Sequence, residues 1–207
     1  MTGSTGAVLG SWRWRVLLPP GWVKLPADDA ERSRAAVRRL VDRQLSHLPR
    51  DRTATARRAV SRDLLAQLGD ARRAGASEVH TLVELMRGLP VTAGLTVVPV
   101  PPQEGGQDLL RALRQVLGDG DGVVSSTTDR LADLPAVRRH RRLLAPRREG
   151  EPARPPEWRT HVDWVVRLPD GDHLVLAFST QTEPIAAELV ELFDAIAGSL
   201  ELVPATG

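Results

Sequence analysis

The clearest pattern of apolar and polar positions lies between Trp158 and Leu200, near the end of the chain. Residues 161–168 alternate with a period of two, which is typical of a strand with one buried face. Residues 173–178 are apolar at nearly every position, so this strand is expected to be covered on both faces or to lie at the centre of a sheet. From Pro184 onward, apolar residues recur at steps of three and four, which predicts a helix docked on the two strands.

The break between these two strands contains an Asp-Gly pair at 170–171, which suits a two-residue type I′ turn. A turn of this length places Trp164 opposite Ala177 and Asp163 opposite Phe178. Because side chains alternate between the faces of a strand, a slip of one residue would exchange the faces of the whole strand. The predicted register therefore depends on the length of the loop.

The rest of the chain alternates between strand-like and helix-like stretches, which predicts an α+β fold with an antiparallel sheet of about six strands flanked by helices. Proline, glycine and aspartate mark the ends of most stretches. Residues 1–10 are small and are expected to form a flexible N-terminus, followed by a single domain over residues 11–203. The predicted elements are strands at Trp12–Leu17, Val79–Met86, Val91–Val100 and Val123–Pro146, and helices at Asp28–Pro49, Asp51–Gly75 and Gln107–Leu117.

The bulk composition suits one globular domain with its own core, since the chain has 207 residues, of which 42% are hydrophobic and 26% charged. Cysteine is absent, which excludes disulfides, thiolate metal sites and cysteine nucleophiles. The pI of about 10.2 is high because nearly all basic residues are arginine, whereas the formal net charge is only +2. The pI is therefore weak support for a polyanionic partner.

The sequence contains no stretch of about 18 apolar residues, so no membrane-spanning helix is expected. The N-terminal segment lacks the basic start, apolar core and small-residue cleavage site of a secretory signal. Together these features predict a cytoplasmic protein without membrane association.

Three tryptophans are the first candidates for a partner surface. Trp12 and Trp14 share one face of a predicted strand, and Trp22 follows a proline-stiffened turn. If exposed, Trp12 and Trp14 would form a stacking platform of the kind that single-stranded nucleic-acid binders use. If packed beneath a helix they would be core residues, which is the arrangement that large aromatic side chains favour.

The second candidate surface is the arginine run, which consists of Arg138, Arg139, Arg141 and Arg142 and is the densest basic stretch in the chain. One interpretation is a site for phosphate or acidic groups. The other is a charged edge strand that prevents sheets from associating edge to edge. The sequence supports the two interpretations equally.

Catalytic chemistry has little support in the sequence, which contains no motif of the common enzyme classes. His161 and Asp163 share one strand face, and Ser179 or Thr180 lies on the neighbouring strand. These are the residue types of a hydroxyl nucleophile, its base and an orienting carboxylate. No oxyanion-hole loop accompanies them, so a non-enzymatic protein is expected.

A metal site is not expected either, although Glu78, His80 and Glu84 share one face of a predicted strand. A metal ion needs three or four convergent ligands, and no further ligand nearby in sequence completes this set. We therefore expect neither a metal nor any other cofactor.

Three segments resemble known proteins: W-x-W-R-V-x-L-P-P-G-W at 12–22, THVDWVVRLPDGDHLVLAFST at 160–180 and ELVELFDAIAGSLEL at 188–202. Together they resemble a group of uncharacterised actinobacterial proteins. The closing strand–strand–helix unit resembles the end of the PsbP-like sandwich fold, which Ran-binding Mog proteins and mycobacterial Lpq-type lipoproteins share. The resemblance implies an antiparallel sheet flanked by helices, in a family whose members mostly bind partners or assist assembly. The chain differs from the lipoproteins in lacking a lipid-attachment cysteine.

The function predicted from the sequence is that of a non-enzymatic interaction protein, an accessory or chaperone-like factor linked to secretion or assembly, with a protein partner. The alternative is an arginine-mediated binder of nucleic acid or another polyanion, for which steep salt dependence is expected. A second alternative is a hydrolase built around His161 and Asp163, which requires a concave pocket and a hydroxyl within hydrogen-bond reach.

Overall fold

The structure is a computed structural model that describes most of the chain. The predicted helix at Gln107–Leu117 lies outside the described residues, and so does the charged segment 145–156 that follows the arginine run. The described ranges are 2–9, 11–27, 29–44, 50–86, 89–101, 120–144 and 157–205.

A three-stranded sheet is formed by the two ends of the described chain. Strand β1 (Thr2–Leu9) and strand β10 (Glu201–Pro204) both pair antiparallel with β2 (Trp12–Leu18), one on each side. Residues 1–10 were expected to be flexible, and the structure instead pairs most of them with β2. The physical reason is that a strand ladder uses backbone groups, so small side chains do not prevent the pairing.

Seven further strands form the large sheet, in which every neighbouring pair is antiparallel. The predicted fold class, an antiparallel sheet flanked by helices, is confirmed. The strands are β3 (Trp22–Leu25), β4 (Glu78–Met86), β5 (Leu89–Val100), β6 (Val123–Leu131), β7 (Leu134–Leu144), β8 (Trp158–Arg167) and β9 (His173–Thr180). Their order across the sheet is β3-β4-β5-β9-β8-β7-β6.

One face of the large sheet is covered by the small sheet and by helix α3 (Ala186–Gly198), which follows a 3-10 turn at Glu183–Ile185. The large apolar side chains of the protein meet on this face, which we call the core face. Phe178 and Phe193 stack there with ring centroids 5.0 Å apart. Each fully buried side chain of this size contributes about 1.5–3 kcal/mol to stability. The fully buried members include Trp14, Val16, Leu95, Leu174, Leu176, Phe178 and Phe193.

The opposite face carries the helix pair, and we call it the helix face. Helix α1 (Ala30–Gln44) and helix α2 (Arg50–Arg73) pack on each other and over β3 and β4. A separate apolar cluster joins the two helices to β3 and β4, and it includes buried residues of both predicted helices, at 28–49 and 51–75. Its buried members are Leu25, Ala27, Val37, Leu40, Val41, Leu64, Leu68, Ala71, Val79 and Val83.

The register of the β8–β9 hairpin differs by one residue from the prediction. Trp164 pairs with Leu176, and Asp163 pairs with Ala177. The loop is longer than two residues, because the Leu168 amide donates to the carbonyl of Asp172 at 2.8 Å. A type I′ turn needs positive φ at both central residues. In this loop only the glycine at 171 has positive φ, at 95°.

The predicted single strand from Val123 to Pro146 is two strands, β6 and β7. They are joined by a two-residue turn in which Ala132 and Asp133 have φ of 50° and 61°. Positive φ is uncommon for alanine, and Ala132-Asp133 is not one of the residue pairs typical of such turns, so no turn was predicted at this position.

Candidate functional site

Small and polar side chains occupy the helix face at the middle of the large sheet. Thr92, Gly94 and Thr96 of β5 lie there, opposite Ala177 and Ser179 of β9. All five are partly exposed, whereas the intervening residues of both strands are buried on the core face. Because these side chains are short, the helix layer does not fill the space above them.

A cavity of about 350 Å³ results, and we call it the α2 cavity because α2 forms its roof. The volume falls within the range of small-ligand pockets, about 300–1,000 Å³. It far exceeds the roughly 10–15 Å³ of such volume that a single water molecule needs. The apolar part of its wall is formed by Leu25, Val60, Leu64, Leu68, Val79 and Val98.

The end of the cavity over β8 is polar, and its wall includes Arg159, His161 and Ser179. His161 and Ser179 are directly opposite each other across the β8–β9 pairing. On the other side of His161, β7 places Arg141 in the paired position. The buried Nε of Arg159 and the buried Nε of Arg141 have no hydrogen-bond acceptor within the described part of the chain. Of these two arginines, Arg159 is the one that lines the cavity, so its guanidinium is the group that a bound molecule would meet.

Asp163 lies two residues further along β8 and is held by the arginines of β7. Its Oδ2 accepts hydrogen bonds from Arg139 Nε at 3.1 Å, Arg139 Nη2 at 2.7 Å and Arg141 Nη2 at 3.1 Å. Asp163 is 7% exposed, so this cluster lies largely out of solvent. Arg139 and Arg141, together with Arg159, give this part of the helix face three cationic side chains, whereas Asp163 supplies one carboxylate.

His161 is neutral near neutral pH in the folded protein. Burial lowers the pKa of its imidazole below the ordinary value of 6.5, and the charge of Arg141 lowers it further, while Asp163 partly opposes the shift. Arg159 and Arg139 add smaller effects in the lowering direction. A neutral ring carries one N–H donor and one acceptor nitrogen, so it complements a polar ligand without adding charge.

We expect His161 to titrate at a lower pH in the folded protein than in the urea-unfolded chain. In the window between the two pKa values the unfolded chain binds more protons, so this residue destabilises the fold as pH falls below about 6.5. An NMR titration of the His161 ring proton, with and without urea, measures both values. A folded-state pKa equal to or above the unfolded one would contradict the burial of the ring beside Arg141.

The remaining arginines of the arginine run lie on the core face. Arg138 donates to both carboxylate oxygens of Asp194 on α3, at 2.8 and 2.7 Å. Arg142 pairs with Glu183 and lies over the ring of Trp158, 4.5 Å from its centroid. The run therefore alternates between the two sheet faces, and each of its arginines is paired with a carboxylate. It forms no continuous basic strip in the part of β7 that the structure describes.

The three tryptophans do not form a common exposed platform. Trp14 is 2% exposed and belongs to the core-face cluster. Trp12 lies on the same inward face of β2 and is half-buried, and Trp22 packs against the same cluster. The structure therefore agrees with the packed arrangement for Trp14 and leaves only part of Trp12 and Trp22 at the surface.

The proposed catalytic set is only partly brought together. Ser179 and His161 are cross-strand neighbours, but the carboxylate of Asp163 is bound by two arginines. Asp163 is therefore not the orienting partner that a hydrolase triad requires. The hydroxyl of Thr180 donates to the backbone carbonyl of Thr92 at 2.7 Å, which is a structural role.

The strand residues Glu78 and His80 form a buried pair, with Oε2 and Nε2 2.8 Å apart. Lys24 of the neighbouring strand also pairs with Glu78. Within the described ranges no group of three or more histidine, cysteine or acidic residues is arranged to hold a metal ion.

Solved structures with a similar fold include two at low sequence identity. One is LpqN, described as involved in cell envelope biogenesis of Mycobacterium tuberculosis. It is 11% identical, has a TM-score of 0.50, and the match covers 98% of this chain and 91% of LpqN. The other is cyanobacterial PsbP (CyanoP) from Synechocystis sp. PCC 6803, 13% identical with a TM-score of 0.46, over 93% of this chain and 87% of that one. At such identity the likeness to LpqN concerns the fold alone, and it agrees with the expected PsbP-like sandwich.

No protein-family model matches the chain, and neither does any curated protein. Among the described residues, no helix is long and apolar enough to cross a membrane.

Proposed function

We propose that the protein is a non-enzymatic accessory factor that works by binding, and that the α2 cavity is its binding site for a small molecule. The observation that carries the proposal is the cavity of about 350 Å³ at the middle of the helix face. A large apolar wall with a few converging polar groups is the usual composition of a ligand pocket.

The way the sheet is built supports this proposal. Protein interiors are normally close-packed, and an unfilled space lowers stability in proportion to its volume. Side chains larger than Thr96 and Ala177 would fill this space and add apolar contacts. A bound ligand would make the apolar contacts that these short side chains leave unmade. Each methylene group that it buries contributes about 0.8 kcal/mol to the binding free energy.

A binding role is also favoured over catalysis by the arrangement of the polar groups. The carboxylate of Asp163 is committed to Arg139 and Arg141, so the neighbouring His161 lacks the partner that would make it a strong base. For the biological role we propose the one predicted from the sequence, which is an accessory function in assembly or secretion within an actinobacterial family. The description of LpqN as involved in cell envelope biogenesis is compatible with such a setting.

The test is a cavity-filling variant, Ala177→Phe, with octanoate as the probe molecule. A phenyl ring at this position would occupy the space beneath α2, so the affinity for octanoate is expected to fall by at least about tenfold. Isothermal titration calorimetry of the wild-type protein and the variant measures the change. Ala187→Phe is the matched control, because Ala187 is exposed on α3, away from the cavity.

Two outcomes would contradict the proposal: no binding of octanoate to the wild-type protein at millimolar concentration, or equal affinity in the wild-type protein and Ala177→Phe. If Ala177→Phe does not fold, as judged by circular dichroism, Thr96→Leu replaces it. Thr96 lies opposite Ala177 in the β5–β9 pairing and lines the same cavity.

A further inference from the structure

We infer that the α2 cavity selects a ligand with a carboxylate at one end and an apolar body, with the carboxylate at the β8 end beside Arg159. This inference rests on the proposed function, because it names the chemical class of ligand for the same site. It follows from three features: the charge at that end, the guanidinium of Arg159 there, and the apolar wall at the other end.

The charge at the β8 end is positive. Arg139, Arg141 and Arg159 lie on the helix face of neighbouring strands, and Asp163 is the carboxylate that faces them. A bound anion would therefore add a second negative charge to a cluster with an excess of cations. A neutral or cationic end group would gain nothing from this excess.

Two carboxylates of α2 also line the cavity, and both have a cation on their own helix. Asp63 lies 3.4 Å from Arg62 Nε, and Asp70 pairs with Arg73. The Asp70 side chain is 71% exposed and that of Asp63 is 34% exposed. Water and these arginines screen both carboxylates, so they do not offset the arginines of the β8 end.

The side chain of Arg159, which lines the β8 end of the cavity, favours a carboxylate among anions. The Nε of Arg159 is buried without an acceptor among the described residues, and an unpaired buried donor is costly. An arginine fork presents parallel N–H groups that match the two oxygens of a carboxylate. The hydroxyl of Ser179 and the ring of His161 line the same end and supply further hydrogen-bonding groups.

The other end of the cavity is suited to a hydrocarbon body. Its wall includes Val60, Leu64 and Leu68 of α2, with Leu25 and Val79 of the strands below. The cavity volume of about 350 Å³ lies near the lower end of the range of small-ligand pockets, which favours a ligand of modest size. A medium-length monocarboxylate of linear or aromatic type fits this space, and both types present the same end group.

The experiment compares probes of one chain length that differ only in the end group: octanoate, 1-octanol and octylammonium. We expect octanoate to bind at least about tenfold more tightly than 1-octanol, and octylammonium to bind most weakly. Phenylpropionate forms a second arm that distinguishes an aromatic from a linear body. Calorimetry at moderate salt gives the four affinities.

The variant that tests the role of Arg159 is Arg159→Gln, which is expected to lower the affinity for octanoate by about tenfold and to leave that for 1-octanol nearly unchanged. Arg159→Lys keeps the charge without the fork and is expected to restore part of the affinity. Arg167→Gln is the matched control, since Arg167 is exposed at the far end of the same strand face.

The outcomes separate this inference from the proposed function. If Ala177→Phe abolishes binding but octanoate and 1-octanol bind equally, the cavity is a ligand site and the inferred carboxylate preference is wrong. Equal losses of affinity for octanoate and 1-octanol in Arg159→Gln would also overturn the inferred carboxylate preference, because Arg159 would then only maintain the shape of the site. If Ala177→Phe changes nothing for any probe, the proposed function itself fails.

Discussion

Replacing Asp163 with asparagine is expected to lower the free energy of unfolding by about 3–5 kcal/mol. The carboxylate of Asp163 accepts three hydrogen bonds from Arg139 and Arg141, whose side chains are only 14% and 25% exposed. Asparagine keeps the size but removes the charge, which leaves two guanidinium groups close together with no counter-charge. Removing one partner of a buried ion pair is costly for this reason. Urea unfolding followed by circular dichroism measures the change.

Asp70→Asn is the control for this prediction, because it makes the same chemical change in an exposed pair with Arg73. Exposed ion pairs contribute little, so the free energy of unfolding is expected to change by less than about 1 kcal/mol. If the free energy of unfolding of Asp163→Asn also falls by less than about 1 kcal/mol, then solvent, and not Asp163, screens the charges of Arg139 and Arg141. Those arginines could then contact a polyanion, as the alternative function of a nucleic-acid or polyanion binder requires.

Replacing Trp14 with alanine is expected to cost about 3–5 kcal/mol of stability, the usual loss for a large aromatic side chain in a core. Trp14 is 2% exposed and packs in the cluster that joins the small sheet to the core face. Its removal leaves a space that rigid neighbouring strands cannot close. Thermal and urea unfolding of the variant measure the loss.

Trp12→Ala is the matched control, since Trp12 lies on the same face of β2 but is only half-buried. A smaller loss is expected, because less apolar surface leaves contact with the core. If Trp14→Ala is too unstable to purify, Trp14→Phe keeps most of the volume and should cost less. Unchanged stability in Trp14→Ala would contradict the packing of this residue and restore it as a candidate for a partner surface.

The sequence predicted the elements of the β8–β9–α3 unit because their periodicities are strong. Its register could not be predicted, because an Asp-Gly pair at 170–171 is compatible with loops of different length. The observed register places Ala177 and Ser179 on the helix face together with Asp163, and Phe178 on the core face. The difference of one residue decides which side chains line the α2 cavity.

The cavity itself has no short sequence signature. Gly94, Thr96 and Ala177 come from strands that are far apart in sequence, and they share a face only once the sheet order is known. Smaller residues alternate with larger ones along much of β5, but a pattern of period two predicts only a strand and not a cavity above it. In the same way, the arginine run was visible as a basic stretch, but its partner carboxylates at 163 and 194 are fixed by tertiary structure.

An NMR titration of the isotope-labelled wild-type protein with octanoate is the sharpest test of the α2 cavity as a ligand site, because it shows where the probe binds. If octanoate binds in this cavity, the largest amide shift changes occur at Gly94, Ala177 and Ser179 and saturate with a single affinity. Shift changes confined to residues away from the α2 cavity, such as the surface around Trp12, would contradict it.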